Sequence, residues 1–172
     1  MGPHGTKLTV VPVTANRNAS RQTVIDVVVA VANVFVTAVT AAANVATGAR
    51  VRRDRHLTII CEGGWLSDRG LSNVFTTGNT INVKSGYEDT FRGDPLLLEH
   101  EWRHSVQWAL LGPVRFIPLY AVSYFGSKRI SGTQAWNVFE WTAGFSDGGY
   151  DDCAGLGKRN ETPAPATQAA TM

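Results

Sequence analysis

The sequence predicts an α+β fold with a long N-terminal helix, a small antiparallel sheet, and a central helix followed by a second short helix. Three observations predict it: a nearly uncharged apolar run over residues 23–47, short strand-like segments between 56 and 84, and a helical pattern over 95–111. Helices and strands that occupy separate stretches of chain are typical of α+β folds.

The composition suits one ordinary domain with little net charge. At 172 residues the chain can bury its own core. The net charge of +2 is too small to indicate binding to nucleic acid. We divide the chain into a flexible lead (1–22), an apolar helix (23–47), a main domain (50–154) and a disordered tail (155–172).

The apolar run over residues 23–47 has three interpretations. Its centre, Val27–Ala43, contains no charged residue, whereas spanning a bilayer takes about 20 apolar residues. Residues 24–46 can be a membrane anchor or a buried core helix, and a secretory signal cleaved near Ala41–Ala43 is the third interpretation. The protein is accordingly membrane-associated, cytoplasmic or exported.

Two further features leave alternatives open. Residues 50–55 contain four arginines, which suit either a solvated loop or the flank of a membrane segment, where arginine meets anionic headgroups. Cys61 and Cys153 are the only cysteines, and neither lies in a CxxC pair, so a cysteine zinc site is not predicted. They either pair as one disulfide or remain two buried thiols.

Short strands are predicted between the apolar run and the central helix. His56–Cys61 is apolar enough for a strand, and Glu62–Gly64 ends it. Thr80–Lys84 alternates polar and apolar residues, as a half-buried strand does. We interpret these segments as a small antiparallel sheet.

The helix over residues 95–111 has clear boundaries. Asp94 can cap its N-terminus, Pro95 is tolerated in its first turn, and Gly112-Pro113 ends it. Downstream we predict a second apolar run over 114–125, a polar loop over 126–135, and a short helix over 137–145 with Asn137 as its cap.

Within the central helix, His100 and His104 are four residues apart, which places both imidazoles on one face. Two histidines in this arrangement can reach one metal ion, and Glu101 beside them can hold the water that the metal polarises. HExxH fixes only three positions and arises by chance. Its place in mid-helix, with two of the chain's four histidines, favours a metal site over two surface histidines.

A catalytic zinc site takes a third protein ligand, and Glu140 is the preferred candidate. It lies in the segment predicted to form the second helix, where aromatic neighbours would bury it and a buried carboxylate needs a partner charge. The alternative is an ordinary helix N-terminal glutamate that complements the dipole. Weaker candidates, or partners of the histidines, are His4, His56, Asp147, Asp151 and Asp152.

Gln107 lies three residues after His104 on the same helical face. Its amide can hydrogen-bond a metal ligand or the substrate, or it can simply be a polar residue at the helix rim.

A larger pattern surrounds the motif: His100-Glu101-x-x-His104-x-x-Gln107, then Leu111-Gly112-Pro113, Pro118-Leu119-Tyr120 and Asn137-Val138-Phe139-Glu140. It resembles a group of small bacterial proteins that share HExxHxxQ, a Gly-Pro turn, Pro-x-Tyr and Asn-x-Phe-Glu. The resemblance covers roughly residues 57–145. It implies a zincin-like, gluzincin-type metallopeptidase with Zn²⁺ held by His100, His104 and Glu140, and with Glu101 as the catalytic base. It implies no particular substrate.

If the site is catalytic, the expected reaction is hydrolysis of a peptide or protein by a metal-activated water. Tyr120, Tyr124 and Tyr150 are candidates to stabilise the oxyanion, and Thr80–Lys84 could bind substrate as an added strand. The alternatives are a zincin fold without activity and a small membrane-associated interaction protein, in which the tryptophans would lie at a membrane interface.

Overall fold

The computed structural model describes residues 17–149, which form six helices and one four-stranded sheet. In chain order the elements are α1 (Arg17–Ala32), α2 (Val34–Ala46), β1 (Arg50–Arg53), β2 (Ile59–Glu62), α3 (Trp65–Arg69), β3 (Val74–Thr77), β4 (Thr80–Val83), α4 (Glu88–Gly93), α5 (Pro95–Ser131) and α6 (Val138–Gly144). The predicted α+β class is confirmed. The start of the predicted lead and the whole predicted tail lie outside the described residues.

The predicted single N-terminal helix is wrong, because α1 and α2 meet at a bend of 72°. Asn33 lies buried between them, and its Nδ2 donates to the carbonyl oxygen of Ser105, 2.8 Å away. This contact fixes the bend against α5. The lead is also shorter than predicted, since α1 already begins at Arg17. Within α1, the side-chain Nε2 of Gln22 donates to Oδ1 of Asp26, one helical turn later, at 3.0 Å.

The polarity of α1 and α2 is inverted relative to an ordinary surface helix. Polar residues at intervals of three and four face the protein, whereas the outward residues are mostly valines. The buried residues are Asp26, Val29, Asn33, Thr37, Thr40 and Asn44, and the exposed ones include Val24, Val28, Val31, Val34, Phe35 and Val39. By length and composition, α5 could cross a membrane, and α1 with α2 could do so only as one broken span.

The sheet is mixed, with strand order β1-β2-β4-β3. β2 pairs with β4 in parallel, and the other two pairs are antiparallel, so the predicted antiparallel sheet is wrong for one pair. Side chains alternate between the two faces of a sheet with the same period in parallel and antiparallel pairs, so the residue pattern could not separate the two pairings. The arginine-rich segment predicted as a loop or membrane flank forms the edge strand β1. Thr80–Val83 is a central strand, so it cannot accept a substrate strand as predicted.

The two faces of the sheet pack differently. Ile60, Ile81 and Val83 form an apolar core with Phe91 of α4 and Leu98 of α5. On the opposite side, α2 packs against the sheet through polar contacts. Asn44 Nδ2 donates to Asn82 Oδ1 at 2.7 Å, and the backbone amide of Asn79 donates to Thr37 Oγ1 at 2.8 Å. The sheet thereby fixes α2 on one side and the start of α5 on the other.

Both predicted helix caps in the second half of the chain are confirmed. Asp94 accepts from the amides of Leu96 and Leu97, and Asn137 accepts from the amide of Phe139. Gly112 breaks the helical geometry at φ 67° and ψ 164°, but a helical segment resumes after it and continues to Ser131. The predicted polar loop is therefore wrong for its first residues, 126–131.

Cys61 is fully buried on β2, and burial raises the pKa of its thiol to about 11. Such a thiol is a poor nucleophile and a poor metal ligand at neutral pH. Cys153, the other cysteine of the two alternatives, a disulfide or two separate thiols, lies outside the described residues.

Candidate metal centre

Three buried side chains from α5 and α6 converge on one point. His100 and His104 project from the first half of α5, and Glu140 projects from the first turn of α6. All three are at most 6% exposed. Their potential ligand atoms lie within 4.8 Å of one another, so the cluster could hold a metal ion.

The spacing of these atoms fits a tetrahedral ion. Nε2 of His100 lies 3.1 Å from Nε2 of His104 and 3.1 Å from Oε2 of Glu140, and the third separation, His104 Nε2 to Glu140 Oε2, is 3.5 Å. Around a tetrahedral zinc with bonds of about 2.0–2.1 Å, neighbouring ligand atoms lie about 3.3–3.4 Å apart. One ion can therefore contact all three atoms, which leaves a fourth position for water or substrate.

Hydrogen bonds on the far side of each imidazole point its Nε2 lone pair into the cluster. Nδ1 of His104 lies 2.8 Å from Oε1 of Gln107, and Nδ1 of His100 lies 3.0 Å from the carbonyl oxygen of Gly144. Both partners only accept hydrogen bonds, so each Nδ1 must carry a proton. Neutral histidines held in this way present Nε2 as a metal ligand.

Glu140 is fixed in a similar way. The hydroxyl of Tyr120 donates to Oε1 at 2.6 Å, which leaves Oε2 to face the two histidines. When both Nδ1 atoms carry the protons, Oε2 receives no hydrogen bond from the described residues although it is buried. A carboxylate oxygen that faces two imidazole lone pairs is a buried negative group without a positive partner. A metal ion between the three atoms would provide the missing positive charge.

The charges of the site favour a cation as well. Burial alone would lower the pKa of His104, but the hydrogen bond and charge of Glu140, with a contribution from Glu101, raise it to about 9. Burial likewise opposes ionisation of Glu140, yet the facing imidazoles of His100 and His104 hold the pKa of that carboxyl well below its ordinary 4.5. The protein without metal thus replaces the missing cation with a proton.

This exchange of a proton for a metal predicts a pH dependence. Metal binding must displace the His104 proton, so the apparent metal affinity should rise about tenfold per pH unit between pH 6.5 and the pKa of about 9. The metal-free protein should lose stability over the same window, because a raised histidine pKa stabilises the fold below 6.5 and ceases to do so above about 9. Chelator competition and denaturant unfolding at several pH values measure both trends, and a metal affinity independent of pH would contradict the protonated site.

Gln107 connects the metal cluster to α6. Besides its contact with His104, its Nε2 donates to the carbonyl oxygen of Phe139 (2.9 Å) and to Oγ1 of Thr142 (2.8 Å). One amide side chain therefore sets the tautomer of a histidine and holds the helix that carries Glu140.

Replacing Gln107 with alanine should weaken metal binding by about 10- to 100-fold, the usual cost of losing a partner of a ligating histidine. Gln107→Glu should recover most of this loss because a carboxylate also accepts from Nδ1. Thr142→Ala is the matched control, since it removes one of the two contacts of Gln107 with α6, keeps the contact with His104, and should leave the affinity within about threefold. Equal losses in Q107A and T142A would mean that Gln107 acts only through packing.

Glu101 is buried beside the cluster and is tied to the sheet. The hydroxyl of Thr76, on the edge strand β3, lies 2.6 Å from Oε2 of Glu101 and 3.0 Å from its carbonyl oxygen. The indole of Trp108 donates to the carbonyl oxygen of Thr76 at 3.2 Å. Sequence reasoning missed Thr76, because its contact with Glu101 depends on how β3 packs against α5 and no local pattern indicates it.

Asp147 does not contact the histidines. Its Oδ2 pairs with Nη1 of Arg103 at 2.7 Å, and the same guanidinium donates to the carbonyl oxygen of Ala143 at 2.7 Å. This pair holds the loop after α6, where Gly148 packs so closely on the His100 ring that a Cβ there would come within 2.5 Å of it. Only glycine fits at that position.

Two of the remaining candidates lie within the described residues. His56 lies away from the cluster, between Asp26 (3.1 Å) and Glu99 (3.0 Å), and Tyr124 stacks on Tyr120. Four candidates lie outside the described residues: His4, Tyr150, Asp151 and Asp152.

Comparisons of the chain with protein-family models, curated proteins and solved structures returned no match. The chemistry of the site therefore has to be inferred from its own residues.

Proposed function

We propose that the cluster binds Zn²⁺ and that the protein is a zincin-like metallopeptidase of the gluzincin type. The observation that carries this proposal is the near-tetrahedral spacing of His100 Nε2, His104 Nε2 and Glu140 Oε2, with Nδ1 of both imidazoles hydrogen-bonded outside the cluster. Two imidazoles and one carboxylate are a ligand set of catalytic zinc. Bound zinc supplies a Lewis acid that lowers the pKa of water to about 7.

The chain contributes the proton transfers. Glu101 lies three residues before His104 on α5, and its charge adds to the larger effect of Glu140 in raising the pKa of that imidazole. Thr76 donates to Oε2 of Glu101 and so orients the carboxylate. We assign Oε1 as the atom that takes the proton of the attacking water and returns it to the leaving amine.

The edge strand β3 is the proposed location for an extended substrate. Among residues 17–149 it pairs only with β4, and Thr76 within it contacts Glu101. A peptide that adds to this edge would form main-chain hydrogen bonds beside the catalytic base. Thr76 would then connect substrate binding with the orientation of Glu101.

A non-catalytic zinc centre is the second candidate, and the burial of the site favours it. His100, Glu101 and Glu140 are each at most 4% exposed. Structural zinc sites are closed, whereas catalytic ones keep one position open to water. In this alternative the zinc would serve to hold α6 on α5.

Two measurements on the full chain test the proposal: zinc per molecule after dialysis, and cleavage of an unfolded protein such as casein by the zinc-loaded form. One zinc with cleavage supports the peptidase. One zinc without cleavage rejects it in favour of the non-catalytic centre, and absence of zinc binding rejects both.

A further inference from the structure

The second helical segment of α5, residues 113–131, has one packed face and one exposed apolar face. The packed face carries Phe116 and Ser127, both buried. On the opposite side, Val114, Val122 and Phe125 are 85%, 73% and 63% exposed. These three recur at intervals of eight and three residues, which places them on one side of the helix. The surface is thus an apolar stripe of three turns that nothing in residues 17–149 covers.

The charges around the stripe have one sign. Arg115 lies near its start, and Lys128 and Arg129 lie at its end, all three exposed. Between Leu110 and Phe145 the chain contains a single acidic residue, Glu140, and that residue is buried in the metal cluster. The exposed charge of this region is therefore entirely positive.

We propose that this face, the stripe of Val114, Val122 and Phe125 with the three flanking cations, binds the surface of an anionic lipid bilayer. An apolar helical stripe with basic residues beside it is typical of helices that lie in the plane of the membrane. The first half of the same helix is buried in the protein at His100 and His104, and the helix bends at Gly112, so an in-plane position suits α5 better than a spanning one. A second copy of the chain fits poorly, because it would bring like charges together.

The test is sedimentation of the full-length protein with vesicles of phosphatidylcholine alone or mixed with phosphatidylglycerol. We expect binding to the anionic vesicles that weakens as salt increases. The double substitution Val122→Asp and Phe125→Asp should reduce that binding by at least about tenfold, because it removes two inserted side chains and adds negative charge. Zinc content should be unchanged, which also shows that the variant is folded.

The control places the same change on another exposed apolar surface. Phe35→Asp with Val39→Asp alters two exposed residues of α2 and should leave vesicle binding within about threefold. Binding by V122D/F125D equal to that of the wild type would overturn the proposal. So would a wild-type protein that ignores vesicles and forms a dimer that V122D/F125D dissociates. A loss of vesicle binding confined to the α2 variant would also overturn the assignment to α5.

Discussion

Replacing His104 with alanine should abolish stoichiometric zinc binding. The wild-type protein should retain about one zinc per chain after dialysis, because three ligand atoms are already positioned at tetrahedral separations. The variant loses one of three ligands and should bind more than about 100-fold more weakly, beyond the usual cost of removing only a partner of a ligand. Elemental analysis and chelator competition measure the difference.

His56→Ala is the matched control for that experiment. His56 is as buried as His104 and lies between two carboxylates, but it belongs to the contact of α1 with α5 rather than to the cluster. The control should be less stable, since Asp26 and Glu99 each lose one of their partners, yet it should keep its zinc. Equal zinc content in H104A and wild type would show that the ion binds elsewhere.

Replacing Glu101 with glutamine should leave zinc content intact and reduce peptide hydrolysis by about 100- to 10,000-fold, the contribution typical of a general base. Glutamine keeps the size of the side chain and still accepts the hydrogen bond from Thr76, so the fold around β3 should not change. What the variant lacks is a carboxylate that can take a proton. The rate of casein cleavage at equal zinc occupancy gives the ratio.

Glu99→Gln, two residues earlier on the same helix, controls for loss of charge near the site. Glu99 pairs with His56 and Arg55 and lies outside the cluster. Peptide hydrolysis by the E99Q variant should therefore stay within a few-fold of the wild type. If wild type and E101Q cleave equally while E99Q is also unaffected, Glu101 is not the base and the observed cleavage has another source.

The helices that carry the site could be predicted because their signals are local. Asp94 and Pro95 define the start of α5, and Asn137 defines the start of α6. The four-residue spacing within α5 brings two imidazoles together whatever the tertiary fold. Each of these inferences depends on a few neighbouring residues.

The rest of the site depends on contacts between distant parts of the chain. Thr76 reaches Glu101 across 25 positions, and the carbonyl oxygen of Gly144 reaches His100 across 44. No residue pattern identifies which hydroxyl or carbonyl will lie beside a given side chain. The same limit explains the sheet, where local periodicity indicated strands but not the parallel pairing of β2 with β4.

The apolar run near the N-terminus shows a different limit. Its composition indicated a helix without charge, but not that a polar stripe through Asn33, Thr37 and Asn44 would face the protein. Hydrogen bonds from this stripe to α5, the β3–β4 turn and β4 specify how the helices dock. Average hydropathy conceals such a stripe, because a few amides and hydroxyls hardly alter the mean.

The division of the three candidate ligands between two helices would make a bound metal ion a tether between those helices, whether or not it also takes part in a reaction. His100 and His104 belong to α5, whereas Glu140 belongs to α6, which has few buried side chains of its own. An ion that binds only the folded arrangement stabilises it in proportion to the logarithm of free metal concentration over the dissociation constant. When free metal is scarce, the stretch from Gly132 to Gly149 would therefore become accessible to proteases and exchange its amide hydrogens faster, while the sheet stays folded. Local order in this stretch would then depend on the free zinc concentration.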